Sequence, residues 1–232
     1  MPLQPSDRPE VRLVLAISLD GRLAPAEGGA AHLGGEGDRV ALDQALAWAD
    51  ACLIGAGTLR AHQCTCLIRN RTLVNQRLAA GRPAQPAAVI VSRSPDFSMS
   101  WRFFQQPLCR WLVAPEPMDD GFGFDRWIPL ADSWPEQLTD LGAAGIQRLV
   151  LLGGAQLAAD LLAADCVDGL RLTLVPRVLG GSNTWLPTGL STLPESLTSP
   201  NAWRDEGAEP LGEGEWLLRY RRVRSGAGSV EP

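Results

Sequence analysis

Two apolar runs of strand length, nearly a hundred residues apart, each end in glycine and pass directly into an apolar pattern of helical spacing. The first is Ala51-Cys52-Leu53-Ile54-Gly55-Ala56-Gly57-Thr58, and the second is Leu149-Val150-Leu151-Leu152-Gly153-Gly154-Ala155-Gln156-Leu157. A strand that feeds a helix through glycine points to an α/β fold, because parallel strands need crossovers and helices supply them. Glycine at such a turn lets the backbone approach a ligand closely, and the N–H groups of the new helix attract anions. Two such junctions in one domain suit a dinucleotide gripped at both ends. Two ordinary tight turns of an α/β sheet remain the alternative reading.

A chain of 232 residues, 45% apolar and 20% charged, suits one large domain with a proper core. The formal charge of −5 gives no basic field for nucleic acid or an anionic membrane. All 21 cationic side chains are arginine, which excludes lysine Schiff-base chemistry. No stretch approaches the length of a membrane span, and the first residues lack a signal-peptide core, so a cytoplasmic protein is expected. Cys52, Cys64, Cys66, Cys109 and Cys166 show no CxxC spacing and read as reduced thiols. Cys64 and Cys66 lie near His62 but have no second ligand pair, so no metal is expected.

Periodicity and punctuation predict strands at 11–17, 52–54, 87–91, 111–113, 148–152, 170–175 and 215–221. Helices are expected from Asp38, read as an N-cap, through Leu42, Ala45, Leu46 and Ala49, and again at 73–80, 135–144 and 156–163. Residues 180–212 read as a long loop with short strand pieces. The expectation is a mainly parallel sheet with helices on both faces and an antiparallel C-terminal edge. One domain spans 1–232, with a core at about 9–222 and flexible tails at 1–8 and 225–232.

Ile17-Ser18-Leu19-Asp20-Gly21-Arg22-Leu23-Ala24, then the run from Ala49 to Thr58, then Gly153-Gly154 together resemble the riboflavin-pathway pyrimidine reductases. This is the RibD C-terminal domain family, with a dihydrofolate reductase-like fold. Pro176-Arg177-Val178-Leu179-Gly180-Gly181 is similar to another segment of that family, and the resemblance covers roughly 9–222. No deaminase zinc signature accompanies it, so a stand-alone reductase domain is expected. Rossmann enzymes match poorly, since no GxGxxG closes the first βα turn. The resemblance implies NADPH across the C-terminal ends of the central strands. Its pyrophosphate would meet Gly153, Gly154, Ala155, Gln156 and Leu157, with Gly55, Gly57 and Thr58 touching it from the neighbouring strand. The family's double glycine often includes a cis peptide. Ser92 and Arg93 are placed for the adenosine 2′-phosphate, although Arg93 also reads as a solvated loop arginine.

The family reduces a ribosylamino group of a phosphorylated aminopyrimidine to ribitylamino, with hydride passing from the nicotinamide to the ribose C1. The implied substrate is 5-amino-6-(5-phosphoribosylamino)uracil. Arg39 and Arg69 match its phosphate-binding arginines, while Ser18 and Asp20 match the motif at the reacting end. Asp20 before Gly21 is also common turn chemistry. The family's catalytic aspartate is missing from Arg60-Ala61-His62-Gln63-Cys64-Thr65. His62 stands in its place, either as a proton donor or as an exposed loop histidine. The loop tryptophan is replaced, with His32 nearby, and Leu15 and Leu152 occupy positions where the family carries lysine and glutamate. Two alternatives stay open: a reductase of another small, pterin-like heterocycle, or an NADPH-binding module without turnover. Related domains pair as homodimers.

Overall fold

The computed structural model describes residues 7–28, 33–94, 96–117, 123–187, 189 and 193–224. His32 lies outside the described residues. Among these, one sheet holds β1 (Glu10–Ser18), β2 (Ala51–Gly55), β3 (Ala87–Val91), β4 (Arg110–Ala114), β5 (Arg126–Pro129), β6 (Arg148–Leu151), β7 (Gly169–Val175), β8 (Trp203–Gly212) and β9 (Glu215–Arg222). The order is β5-β4-β3-β2-β6-β1-β7-β9-β8. From β5 to β7 every pairing is parallel; β9 and β8 continue the sheet antiparallel. The mixed sheet is the one expected. No helix among the described residues is long and apolar enough to cross a membrane.

Helices α1 (Glu36–Trp48), α2 (Ala56–His62), α3 (Arg71–Ala79), α4 (Trp134–Ala143) and α5 (Ala155–Ala163) link the strands. They divide between the faces, as β2 demonstrates. Its Ala51 and Leu53 join a core with Leu138 and Leu141 of α4 and Leu161 of α5. Its Cys52 and Ile54 join a second core with Leu46 of α1 and Leu59 of α2. A strand buried on both faces reads as an unbroken apolar run, hence the clarity of this junction in the sequence. Each leucine so buried contributes ~1.5–3 kcal/mol.

The start of α1 differs from the expectation. Its N-cap is Gly35, not Asp38, and the Gly35 N–H donates to Glu215 Oε1 on β9 at 2.6 Å. A tertiary contact therefore sets this helix end, leaving Asp38 inside the first turn. At the other end, Arg77 and Arg82 donate to the carbonyls of Ala47 and Ala49, covering groups that no basic residue of the last turn serves. Burial pulls the Arg77 pKa down to about 10.

Two further expectations are corrected. Within the supposed loop 180–212 lies β8, ten residues long, whose side chains are largely exposed and include Gly207 and Pro210. Its half-buried positions Gly207, Glu209 and Leu211 alternate with exposed ones but only one of them is apolar, so no hydrophobic alternation shows in the sequence, and pairing with β9 is what orders the strand. Arg8, assigned to a flexible tail, holds Asp168 through two hydrogen bonds of 3.0 and 2.7 Å.

Candidate active site

Because β2 and β6 are adjacent and parallel, both glycine junctions open at the same end of the sheet. They touch there. A β-carbon added at Gly154 would stand 2.9 Å from Thr58 Oγ1, and one at Gly55 would stand 3.8 Å from Leu157 Cδ2. Gly153 has φ +92°, and its β-carbon would lie 3.2 Å from Leu15 Cδ2; the Gly153–Gly154 peptide is cis. Space within 4 Å of a β-carbon at Gly57 is open. The N-caps of α2 and α5 are Gly55 and Gly154, and neither helix start is capped by a side chain. Gly55, Gly57, Thr58, Gly153, Gly154 and Ala155 thus gather small residues at one end of the sheet around the first turn of α5, with Gln156 exposed and Leu157 turned into the core. Such a cradle fits a pyrophosphate, which needs backbone N–H donors and no intervening side chain.

On the far side of β2, Gly55 is in register with Val91 of β3, so Ser92 follows immediately at the same sheet end. Ser92 is buried, its N–H donating to the Val113 carbonyl at 3.0 Å and its Oγ accepting from the Ser94 N–H at 3.2 Å. Arg93 is exposed on this turn. Arg60 of α2 reaches the same turn, donating to the Ser94 carbonyl at 2.7 Å and lying 5.3 Å from the Phe97 ring centre. The sequence reading missed Arg60, for which periodicity carries no signal on an exposed helix face.

Ser18 ends β1 and is fully buried. Its hydroxyl donates to Asp20 Oδ1 at 2.5 Å and accepts the Arg22 N–H at 2.9 Å. Asp20 also accepts the N–H groups of Leu179 (3.1 Å) and Gly180 (2.8 Å), so two segments singled out in the sequence are tied through one carboxylate. The Ser18 hydroxyl, chiefly, lowers the Asp20 pKa from the ordinary 3.8 to about 2. A group depressed in this way stabilises the fold above pH 3.8, and that stability is lost as pH falls toward 2. Thermal melts between pH 5 and pH 2 should therefore fall less steeply for Asp20→Asn than for the unaltered protein; parallel curves would remove Asp20 from this role.

The two phosphate candidates differ. Arg39 is committed: its guanidinium donates to Asp43 Oδ1 and to the Leu67 carbonyl. Asp43, 4% exposed, also accepts the N–H groups of Arg69 (3.0 Å) and Asn70 (2.8 Å). Arg39 is thus engaged in fastening residues 67–70 to α1, which argues against its reading as a phosphate ligand. Arg69 is exposed beside it. His62 is exposed at the C-terminal end of α2, ~9 Å along the axis from Ala56. Asp38 of α1 accepts a hydrogen bond from the Thr173 hydroxyl on β7, and partial burial pushes its pKa up. Asp43 and Thr173 gave no sequence signal beyond helix and strand periodicity.

The model of the RibD C-terminal domain matches residues 9–216. The chain belongs to that family. A 2,5-diamino-6-ribosylamino-4(3H)-pyrimidinone 5′-phosphate reductase of Archaeoglobus fulgidus is 24% identical over 216 residues, covering 89% of this chain and 95% of the relative. RibD of Acinetobacter baumannii has a TM-score of 0.76 at 20% identity, covering 94% of this chain and 59% of that one. Dihydrofolate reductase from Enterococcus faecalis, complexed with NADP(H) and RAB-propyl, has a TM-score of 0.54 at 11% identity, covering 93% and 97%. At those identities the two structures show the fold, which is dihydrofolate reductase-like. The chain spans 52–56% of the length of the curated RibD relatives it matches at 28% identity.

Within the RibD C-terminal domain frame, Leu15 of β1 packs on Gly153 rather than offering a charge at the junction. The altered segment 60–65 provides Arg60 toward the Ser92 turn and buries Thr65, whose N–H and C=O pair with the Gln106 side chain at 2.8 and 2.7 Å.

Proposed function

We propose that this chain is an NADPH-dependent reductase of riboflavin biosynthesis. It reduces the ribosylamino group of a phosphoribosylaminopyrimidine to ribitylamino, 5-amino-6-(5-phosphoribosylamino)uracil being the substrate the sequence implies. The contact between Thr58 and Gly154, which merges two distant glycine junctions into one cradle, carries this reading. Bound reduced nicotinamide supplies the hydride. Gly55, Gly57, Thr58 and the α5 start from Gly153 to Leu157 hold the pyrophosphate. Ser92 and Arg93, joined by Arg60, hold the 2′-phosphate. Ser18 orients the sugar. Asp20, permanently ionised at neutral pH, stabilises positive charge developing on the substrate nitrogen and does not donate a proton. His62 gives the proton, and Arg69 takes the substrate phosphate while Arg39 positions the segment that carries it.

Charge-assisted bonds to phosphate make the cofactor preference measurable. Arg93→Ala and Arg60→Ala should each weaken NADPH about 10-fold or more while leaving NADH within about 2-fold. Equal losses for both nucleotides would remove these arginines from the 2′-phosphate. The decisive assay follows loss of reduced-nicotinamide absorbance with each phosphoribosylaminopyrimidine. Tight NADPH binding without oxidation would favour the non-catalytic module, which the lack of a carboxylate in segment 60–65 also supports. Oxidation with a pterin alone would favour the other heterocycle.

A cytoplasmic homodimer completes the proposal. Leu19, Val178 and Trp216 are 60%, 74% and 48% exposed, apolar surface that a second copy would cover. A monomeric mass in analytical ultracentrifugation would reject the dimer.

A further inference from the structure

Between α1 and the sheet face of β1, β7 and β9 lies a cavity of about 200 Å³, whose lining includes Arg12, Arg171, Arg219, Trp48, Gln44 and Asp38. The register sets its three arginines side by side. Arg171 is directly opposite Arg219 on β9, and its partner on β1, Val14, is two residues from Arg12 on the same face. Like charges directly opposite each other destabilise a sheet, where opposite charges would stabilise it. With side chains only 21%, 15% and 26% exposed, Arg12, Arg171 and Arg219 repel through a medium that water screens incompletely. Burial first, then the charges of Arg12 and Arg219, lower the Arg171 pKa against its hydrogen bond to Glu206.

The carboxylates beside this cluster fall one short. Among the described residues, three glutamates answer four guanidiniums. Glu10 serves Arg12 (3.0 Å) and Arg221 (3.5 Å), Glu206 serves Arg171 (2.9 Å) and Arg221 (2.6 Å), and Glu209 serves Arg219 (2.7 Å). A guanidinium carries five N–H donors in a planar fork. Arg219 meets one carboxylate oxygen, and Arg12 meets one while lying 3.7 Å from the centre of the Trp48 ring. Stacking on an indole leaves the N–H edge of a guanidinium to an acceptor in its plane. Asp38 is not that acceptor. It holds the hydroxyl of Thr173, ~7 Å along β7 from Arg171, and its charged neighbours are Arg39 and Glu215.

We propose that this cavity is an anion site separate from the glycine cradle, taking a phosphate group, free or as a monoester, among Arg12, Arg171 and Arg219 with the exposed Gln44 amide beside them. A dianion offsets the excess positive charge, and its oxygens accept from several forks at once. The cavity shares no lining residue with the cradle, so the site stands or falls apart from the reductase reading. Calorimetric titration with inorganic phosphate at constant ionic strength tests it. The starting protein carries Arg69→Ala and Arg93→Ala, so that phosphate held at the proposed substrate and cofactor positions does not enter the titration. It should bind one phosphate per chain at millimolar or lower concentration and melt at a higher temperature as phosphate replaces chloride. Arg171→Gln and Arg219→Gln, added singly, should each weaken that binding about 10-fold or more. Gln44→Glu, a change of an exposed residue on α1, should do the same by setting a carboxylate against the ion. No binding at millimolar phosphate, or an affinity left intact by a folded Arg219→Gln protein or by Gln44→Glu, overturns the proposal. Ribose 5-phosphate separates the sources: binding tighter than that of phosphate identifies a monoester as the occupant, and binding no tighter identifies the free ion, either result supporting the site.

Discussion

Gly154→Val should weaken NADPH binding about 100-fold or more in a fluorescence titration. The first carbon of the new side chain already falls 2.9 Å from Thr58 Oγ1, and two more methyl groups follow into the same space. Either Thr58 moves or the start of α5 does, and both line the proposed pyrophosphate cradle. Each displaced charge-assisted N–H bond is worth ~1.5–3 kcal/mol, so two of them account for the expected loss. Gly154→Ala should show a milder form, partly relieved by Thr58→Gly, which clears the colliding oxygen. Unchanged affinity in Gly154→Val would detach the cofactor from this junction.

Asp43→Ala should be the most damaging change for stability among the groups around the site. The carboxylate is 4% exposed and accepts from Arg39, Arg69 and Asn70. Its removal strands the Arg39 guanidinium and two backbone N–H groups, at a cost of ~3 kcal/mol. For a chain of this length that lowers the melting temperature by about 6–12 °C. Arg39→Ala should produce a comparable fall. A normal melting temperature with only a raised KM would return Arg39 to the role of phosphate ligand.

The sheet was legible where burial leaves a pattern. Strands such as β2, apolar on both faces, and helices such as α5, beginning at glycine, declared themselves through composition and spacing. What escaped depends on tertiary partners. β8 exists because β9 pairs with it, and the α1 start is set by Glu215, 180 residues from the Gly35 it holds. The site divides along the same line. Gly153, at φ +92°, and Gly154, closed in by Thr58, are positions where geometry calls for glycine, whereas Gly55 and Gly57 have room for a side chain. The resemblance pointed to Arg39, but spacing could not tell a free guanidinium from one answered by Asp43. Asp38 was read as a cap because, in a sequence, a carboxylate before a helix looks the same whichever way it turns.

The bond between Glu215 and Gly35 also bears on the timing of assembly. Both glycine junctions leave the ribosome well before the β8–β9 hairpin, whereas the wall behind Asp38 is unfinished until that hairpin emerges. A nascent chain halted near residue 200 would possess both glycine junctions yet lack β9, whose Glu215 holds the start of α1. The sheet end at which the glycine junctions meet is thus made before the strand that fastens the start of α1.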